Sequence, residues 1–185
     1  MSLNPIKLEA MEKINNEFKT LNHRPIVEFG LTVGLIEEED IFKWRVTMPG
    51  PKDTSYKGGI FLLIIKFPED YPQHPPEVCF ITPIYHINVN PNKSDMPGAK
   101  PLGHIYIPIL NQWKPEYTVM EVFANIYGLF YMAIPGSPYG FDRDNEFRYQ
   151  RDIHKEKIKR YTKKYADPRN FNINKECHGS WDFSN

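Results

Sequence analysis

The first apolar pattern along the chain repeats at three- and four-residue steps. It consists of Leu8, Met11, Ile14, Phe18 and Leu21, with lysine, glutamate and asparagine between them. This spacing predicts an amphipathic helix from about Pro5 to Leu21 whose apolar face is formed by these five side chains. Asn4 and Pro5 are a suitable cap and first-turn pair for such a helix.

Shorter, extended patterns follow the helix. Residues 26–36 are rich in valine, leucine and phenylalanine, and they predict a first strand. From Phe42 to Val46 apolar and polar residues alternate, which is typical of a half-buried strand. Two further apolar runs, at 60–67 and 78–81, predict two more strands. Four consecutive strands with short connections favour an antiparallel meander.

The C-terminal half of the chain returns to helical patterns. Residues 119–133 are apolar on almost every side, which predicts a helix buried in the core. Residues 142–166 predict further helix, with lysines on one face. The chain after Asp167 is polar and has no periodicity, so it predicts a loosely held tail. We therefore predict an α+β fold with one domain over residues 1–166 and a tail over 167–185.

One central segment, Gly103–Pro115, follows neither period. Its apolar residues are crowded together and Pro108 interrupts them. Because it is too short for a confident helix and contains a proline, it predicts a buried extended segment followed by a turn.

Composition narrows the functional classes. The 185 residues suit a single domain with a proper core, and 23 basic residues balance 23 acidic ones, so nothing global indicates nucleic acid or an anionic membrane. The sequence contains no apolar run long enough for a membrane span and does not begin with a signal peptide pattern. We expect a reducing location, cytoplasmic or nuclear.

The cysteines and histidines do not predict a metal or a cofactor. Cys79 and Cys177 are too few for a disulfide framework or a cysteine-rich metal site. Cys177 stands next to His178, but one such pair is a weak metal signal, and the other histidines lack ligand spacing. We expect no metal and no cofactor.

Several motifs resemble those of the ubiquitin-conjugating enzymes. Residues 42–82 are similar to that family's strand and loop signature, including the Y-x-G-G turn and the F-P-x-D-Y-P-x-x-P-P loop. Residues 84–90 resemble its histidine-proline-asparagine motif, residues 112–115 its tryptophan segment and residues 148–166 its last two helices. The resemblance covers roughly residues 5–166 and implies the family's fold: an N-terminal helix, a four-stranded meander, a buried helix and C-terminal helices.

The resemblance also identifies the residue on which the chemistry depends. In the family a glycine-x-isoleucine-cysteine segment carries the nucleophile that accepts ubiquitin as a thioester. Here Gly103 is followed by histidine, isoleucine and Tyr106, so a tyrosine occupies the cysteine's place. Transthiolation needs a thiolate, whereas phenols have a pKa of about 10 and form less reactive esters. Tyr106 is therefore a poor substitute.

The neighbouring positions lead to the same expectation. Where the family commonly has acidic residues near the nucleophile, this chain has Pro108 and, by counting back from matching helix residues, Tyr139. The family's oxyanion-stabilising asparagine is retained as Asn88, but alone it has nothing to stabilise. His86 is also retained, and we interpret it as a buried histidine that braces its loop.

Two features near this position have two interpretations each. Tyr106 either fills space that a smaller side chain would leave open or contacts a ligand, together with Asn88 and Tyr139. Residues 89–102 are longer than the link typical of the family, and form either an ordinary insertion or a cover beside the site. Cys79 lies within a predicted strand, so we interpret it as a packed thiol.

These observations predict a catalytically inactive variant that acts as a non-covalent binding or regulatory module. Its predicted partners are ubiquitin or a ubiquitin-like protein, and an active conjugating enzyme. Two alternatives remain. The chain could be an active conjugating enzyme that uses a cysteine elsewhere, or a structural scaffold that never contacts ubiquitin.

Overall fold

The computed structural model describes residues 4–23, 29–94 and 96–170. Within these ranges the helices are α1 (Pro5–His23), α2 (Pro108–Asn111), α3 (Val119–Tyr131), α4 (Phe141–Tyr149) and α5 (Arg151–Tyr165). The strands are β1 (Thr32–Leu35), β2 (Lys43–Pro49), β3 (Ile60–Lys66) and β4 (Glu77–Phe80), and a 3-10 turn spans Pro168–Asn170. Most of the predicted tail, including Cys177 and His178, lies outside the described residues, and the division at residue 166 stays a prediction.

The four strands form one antiparallel sheet in the order β1-β2-β3-β4, which confirms the predicted meander. In β2 the side chains of Trp44, Val46 and Met48 are buried and those between them are half-buried, as the alternation predicted. The strand ends at Pro49, which pairs with Ile60 of β3. A proline is tolerated at a strand end because it removes only one ladder donor.

The first strand is shorter than predicted. Residues 26–36 were expected to be extended, but β1 covers only Thr32–Leu35, and a turn at Phe29 and Gly30 precedes it. Gly30 has a φ of +60°, the left-handed region that favours glycine. Residues 24–28 lie outside the described part of the chain.

The predicted buried helix is α3, which belongs to the core. It begins at a capping box, in which the Thr118 hydroxyl accepts from the Glu121 N–H and the Glu121 carboxylate accepts from the Thr118 N–H. It ends at Tyr131, two residues earlier than predicted. The buried side chains of α3 are Val119, Val122, Phe123, Ile126, Leu129 and Phe130. They pack in one cluster with the inner side chains of the sheet.

Helix α1 is present as predicted, but the prediction that Leu8 belongs to its buried face was wrong. The residues that reach the core are Ala10, Ile14 and Leu21, which recur at steps of four and seven. Leu8 is instead 47% exposed, because the core-facing line passes through Ala10 in that turn. The helix begins where predicted, and the Asn4 side chain accepts a hydrogen bond from the Ile6 N–H at 3.1 Å.

One carboxylate joins α1 to two distant parts of the chain. Glu17 accepts a hydrogen bond from the Tyr71 hydroxyl at 2.8 Å with one oxygen, and from the Val119 N–H at 2.6 Å with the other. Val119 opens α3, where a negative charge is favoured by the orphan N–H groups and the helix dipole. Glu17 thus fixes α1, the proline-rich loop and the start of α3 relative to one another.

The central segment Gly103–Pro115 is only partly the extended segment that we expected. Ile105 and Ile107 are buried and extended, but Pro108 begins the short helix α2. Proline suits this first helical position because its φ is already near the helical value and no N–H is needed there. A four-residue helix is too short to produce a recognisable period in the sequence.

The predicted helical stretch 142–166 consists of two helices. They are separated at Gln150, whose φ of −137° is not helical. Buried between them, Glu146 accepts from the Tyr85 hydroxyl at 3.0 Å and from Lys157, and hydrogen-bonds His154 at 3.1 Å. Although burial acts to raise it, these hydrogen bonds lower the pKa of Glu146. The network ties the loop before the site to the C-terminal helices.

Candidate functional site

Tyr106 lies on a segment that is bonded to both the sheet and the preceding loop. The Phe80 N–H donates to the Gly103 carbonyl at 2.9 Å, and the Tyr106 N–H donates to the Asn88 carbonyl at 2.8 Å. Gly103 has a φ of +80°, and a Cβ there would lie 2.0 Å from the Phe80 carbonyl oxygen. Glycine is therefore required for this close approach. The Tyr106 side chain itself is half-buried.

Asn88 is fully buried, and both ends of its amide are occupied by backbone. Its Nδ2 donates to the Ile134 carbonyl at 2.8 Å, and its Oδ1 accepts from the Ile134 N–H at 2.8 Å. Ile134 follows the end of α3, so this pair of bonds fixes the chain as it leaves the helix. The side chain of Asn88 is engaged in holding this loop.

His86 holds the same region through hydrogen bonds at both of its ring nitrogens. Its Nε2 donates to the Leu129 carbonyl at 3.0 Å, and its Nδ1 accepts from the Asn88 N–H at 2.9 Å. Burial lowers the pKa of His86 to about 4, so the ring is neutral at pH 7. A neutral ring can donate at one nitrogen and accept at the other, which is what its two partners require.

Tyr139 lies on the opposite wall and bonds a histidine that the sequence reasoning missed. Its hydroxyl lies 2.6 Å from His104 Nδ1, and the two rings meet edge to face at 5.8 Å. Burial lowers the pKa of His104 to about 4, with a smaller contribution from Lys100. Burial also raises the pKa of Tyr139 to about 12, and Tyr106 adds to that rise. The pair is neutral at pH 7, and the phenol and the imidazole share one hydrogen bond.

The structure therefore places the predicted site residues in one region, but their contacts differ. Tyr106 contacts Asn88 through backbone atoms, and the Tyr139–His104 pair spans the gap between the Tyr106 segment and the loop after α3. His104 is the variable position of the glycine-x-isoleucine segment, so only its location two residues before Tyr106 could have indicated a role. Pro108, at the first turn of α2, is exposed.

An acidic residue not singled out in the sequence anchors the loop beside the site. Asp144, in the first turn of α4, accepts from the Gly136 N–H at 3.1 Å and from Arg148 Nε at 2.6 Å. Although burial acts to raise it, these bonds lower the pKa of Asp144. Its carboxylate is thus held as an anion with two donors, an arrangement that positions the 135–140 loop.

The reactive thiol of the family has no equivalent at the surface of the described chain. Cys79 is fully buried in β4, and its backbone forms an isolated β-bridge with the backbone of His104. Burial raises the pKa of the Cys79 thiol, which disfavours the nucleophilic thiolate. Cys177 lies outside the described residues.

The long connection from Val89 to Leu102 is tied together at its base. Asn90 Nδ2 donates to the carbonyls of Lys100 and Pro101 at 2.8 and 2.9 Å. Between these points the described residues are mostly exposed, and Met96 is 73% exposed. The base of the insertion also borders a cavity of about 260 Å³ whose far wall includes Arg143. The insertion therefore begins and ends beside the site, while its middle extends away from the packed domain.

The described ranges contain neither a cluster of metal ligands nor a helix that could span a membrane. No cluster of three or more histidine, cysteine, aspartate or glutamate side chains in that part of the chain could hold a metal ion. Among the same residues, no helix combines the length and apolarity that crossing a bilayer requires.

Comparison with known proteins gives the family. The sequence profile described as "Ubiquitin-conjugating enzyme" matches residues 13–162, from α1 to near the end of α5. The protein named Ubiquitin-conjugating enzyme E2 13 from Arabidopsis thaliana is 34% identical over 162 residues, which cover 84% of this chain and 95% of that protein. This α+β chain, with its four-stranded meander between an N-terminal helix and C-terminal helices, belongs to the ubiquitin-conjugating enzyme family.

Proposed function

We propose that this chain is a ubiquitin-conjugating enzyme variant that forms no thioester and acts as a non-covalent binding or regulatory module. Family membership relates it to ubiquitin and to the activating and ligating enzymes of that pathway. Its proposed partners are ubiquitin or a ubiquitin-like protein, and an active conjugating enzyme. We propose the cytoplasm or nucleus as the place of action, where its cysteines would stay reduced.

The observation that carries this proposal is the state of the cysteines. Tyr106 stands where the family resemblance places the nucleophile, and Cys79 is fully buried with a raised thiol pKa. A thioester requires an accessible thiolate. An active enzyme would have to use Cys177, in the tail that follows the family match.

The other polar groups of the site support the same proposal, because their bonds are already made within the chain. Both the nitrogen and the oxygen of the Asn88 side-chain amide are hydrogen-bonded to Ile134, and the Tyr139 phenol is hydrogen-bonded to His104. A catalytic oxyanion donor or a general base has to be able to reach substrate instead. These side chains preserve the shape of the region and leave few free groups for chemistry.

A charging assay tests the proposal. The protein is incubated with ubiquitin-activating enzyme, ATP and ubiquitin or one of several ubiquitin-like proteins, and the products are separated on non-reducing gels. We expect no conjugate that dithiothreitol removes, while an active conjugating enzyme in the same reaction is charged. A dithiothreitol-sensitive conjugate would overturn the proposal.

Two variants identify the nucleophile in that case. If the conjugate disappears in Cys177→Ser and persists in Cys79→Ser, the tail thiol carries ubiquitin and the chain is an active enzyme. If it disappears only in Cys79→Ser, β4 has to open to expose the thiol. Either result favours the first alternative over a binding module.

The binding half of the proposal needs a separate measurement. A titration of ¹⁵N-labelled protein with ubiquitin, and then with a panel of conjugating enzymes, should shift resonances near Tyr106, Tyr139 and the 89–102 insertion. Small single-domain contacts correspond to about 6 to 8 kcal/mol, that is, micromolar or weaker affinity. If no resonance moves with any partner, the scaffold alternative is the better account.

A further inference from the structure

A long groove runs between α5 and residues 53–58, the loop that joins β2 to β3. It consists of two cavities of about 690 and 580 Å³ that share Thr54, Ser55 and Lys159 in their walls. We call it the α5 groove. Tyr106 is not among its lining residues, whereas two members of the lining, His86 and its hydrogen-bond partner Leu129, take part in the site described above.

The walls of the α5 groove are strongly basic. Its lining includes the cations Lys57, Arg151, Lys155, Lys159, Lys163 and Arg169, against the carboxylates Asp53 and Asp167. Lys159 pairs with Glu156 at 2.7 Å, and Arg169 pairs with Asp167 at 2.6 Å. Within the described residues, Lys57, Lys155 and Lys163 form no ion pair. Among the described residues that line it, the groove therefore holds a surplus of positive charge.

Helix α5 presents a row of cations to the groove, and neither of its two acidic residues belongs to the groove lining. Arg151, Lys155 and Lys159 face the groove, as does Lys163 at the same four-residue spacing. The acidic residues Asp152 and Glu156 line a different depression on the helix, together with Lys157 and Arg160. The balanced composition of the chain thus conceals a surface on which positive charge is concentrated.

The larger of the two cavities is lined by apolar side chains as well as by charged ones. Tyr56, Phe130 and Ile158 are almost fully buried beneath it. At its rim Tyr131 and Met132 are 58% and 78% exposed. An occupant would therefore meet cations along one wall and apolar surface below.

From this geometry we infer that the α5 groove binds an extended acidic segment of a partner protein, one that carries apolar side chains between its carboxylates. Cations four residues apart on a helix are separated by about 6 Å along its axis. Alternate side chains of an extended peptide are separated by about 6.6 Å, so successive carboxylates can each meet one cation. The side chains between them point to the opposite face of the peptide, where they can meet the exposed apolar rim at Tyr131 and Met132.

A nucleic acid fits the same surface less well. Asp53 and Asp167 both face the groove, and they would repel a backbone that carries a negative charge at every step. The buried floor offers side chains for apolar contact beneath the cations, which matches alternating acidic and aliphatic residues. This inference concerns a surface separate from Tyr106 and holds whether or not the chain forms a thioester.

The test is fluorescence anisotropy with a labelled peptide of roughly eight residues, in which glutamate alternates with leucine, a length that spans the four groove-facing cations of α5. We expect saturable binding that weakens as salt is raised from about 50 to 500 mM, because exposed charges are screened. In the double variant Lys155→Glu/Lys163→Glu we expect affinity to fall at least about tenfold, since two of the cations become repulsive.

The matched control is the double variant Arg160→Glu/Lys164→Glu, which makes the same change in formal charge on α5 outside the groove lining. It should bind within about threefold of the original protein, since screening limits charges that do not contact the peptide. A second peptide with serine in place of leucine should bind more weakly, and circular dichroism melts check that both variants stay folded.

Three results would overturn the inference. The first is an equal loss of affinity in the two double variants, which would mean that general charge attracts the peptide. The second is tighter binding of a single-stranded oligonucleotide of equal charge, which would identify a nucleic-acid surface. The third is the absence of any anisotropy change at low salt.

Discussion

The hydroxyl of Tyr139 and Nδ1 of His104 share a hydrogen bond across a distance of 2.6 Å. This bond joins the loop that follows α3 to the segment that carries Tyr106. Both groups are partly shielded from water, and both are neutral at pH 7 because burial has shifted their pKa values in the directions that favour the uncharged forms. The wall of the site is therefore closed by a polar contact without charge.

Removing this contact should destabilise the domain measurably. In Tyr139→Phe the imidazole loses its hydrogen-bond partner while most of the ring packing remains, so we expect the free energy of unfolding to fall by about 1 to 2 kcal/mol. Urea denaturation measures this change. The control is Tyr149→Phe, since Tyr149 is 79% exposed and its substitution should change stability by less than about 0.5 kcal/mol. Equal effects in the two variants would contradict the prediction.

Replacing Asn88 should loosen the exit from α3. In Asn88→Ala the N–H and the carbonyl of Ile134 both lose their partner, and we expect a loss of about 2 to 4 kcal/mol of stability. Hydrogen exchange should show faster exchange of the Ile134 amide. Asn125→Ala removes an exposed side-chain bond within α3 and serves as the control. Unchanged exchange at Ile134 would show that the amide bridge does not hold this loop.

The stability of the protein should decrease as the pH falls from 7 to 5. Burial lowers the pKa of His86 to about 4 in the folded protein, whereas an unfolded histidine has a pKa near 6.5. The unfolded state therefore binds more protons in this range, so the stabilisation is complete above about pH 6.5 and is lost as the pH falls towards 4. His86 alone should account for about 2 kcal/mol between pH 7 and 5.

Denaturation at several pH values tests this assignment. His86→Gln lowers stability at pH 7, but its stability should depend less steeply on pH, because one of the groups that link folding to protonation is gone. The original protein, denatured at the same pH values, provides the reference slope. An unchanged slope in His86→Gln would mean that His86 is not protonated on unfolding in this range.

Supplying a thiol at the site should not restore the full reaction. In Tyr106→Cys a thioester with ubiquitin can form in principle, but Pro108 and Tyr139 still occupy the places where the family resemblance expects acidic residues. Without a group that positions or deprotonates the incoming lysine, transfer should be at least about 100-fold slower than in an active conjugating enzyme. Single-turnover discharge to free lysine measures this rate, in a Cys79→Ser background. Transfer at the ordinary rate would show that the missing acids are not needed.

The fold could be predicted from the sequence where the pattern is long enough to have a period. The alternation from Phe42 to Val46 predicted β2, and the apolar run from Val119 predicted α3. Helix α2 could not be predicted, because its four residues have no period and its helical start depends on how Pro108 is placed. Leu8 was assigned to the wrong side because sequence spacing shows that a face is apolar and does not show which line on it reaches the core.

The candidate site was predictable in identity but not in contacts. Tyr106, Asn88 and His86 followed from motifs, whereas the bond between Tyr139 and His104 joins residues 35 positions apart. Only the packing of the loop after α3 against the Tyr106 segment creates it. The lysine-bearing face of residues 142–166 was predicted, but the α5 groove was not, because its other wall is formed by residues 53–58, far away along the chain.

The bonds of Glu17 have a consequence for synthesis on the ribosome. The carboxylate belongs to α1, yet its partner Val119 lies 102 residues later in the chain. At translation rates of about 5 to 20 residues per second, α1 waits roughly 5 to 20 s before that partner is made, and longer until it leaves the exit tunnel. During this interval the apolar side of α1 has no completed core to pack against, so it stays exposed to water or to chaperones.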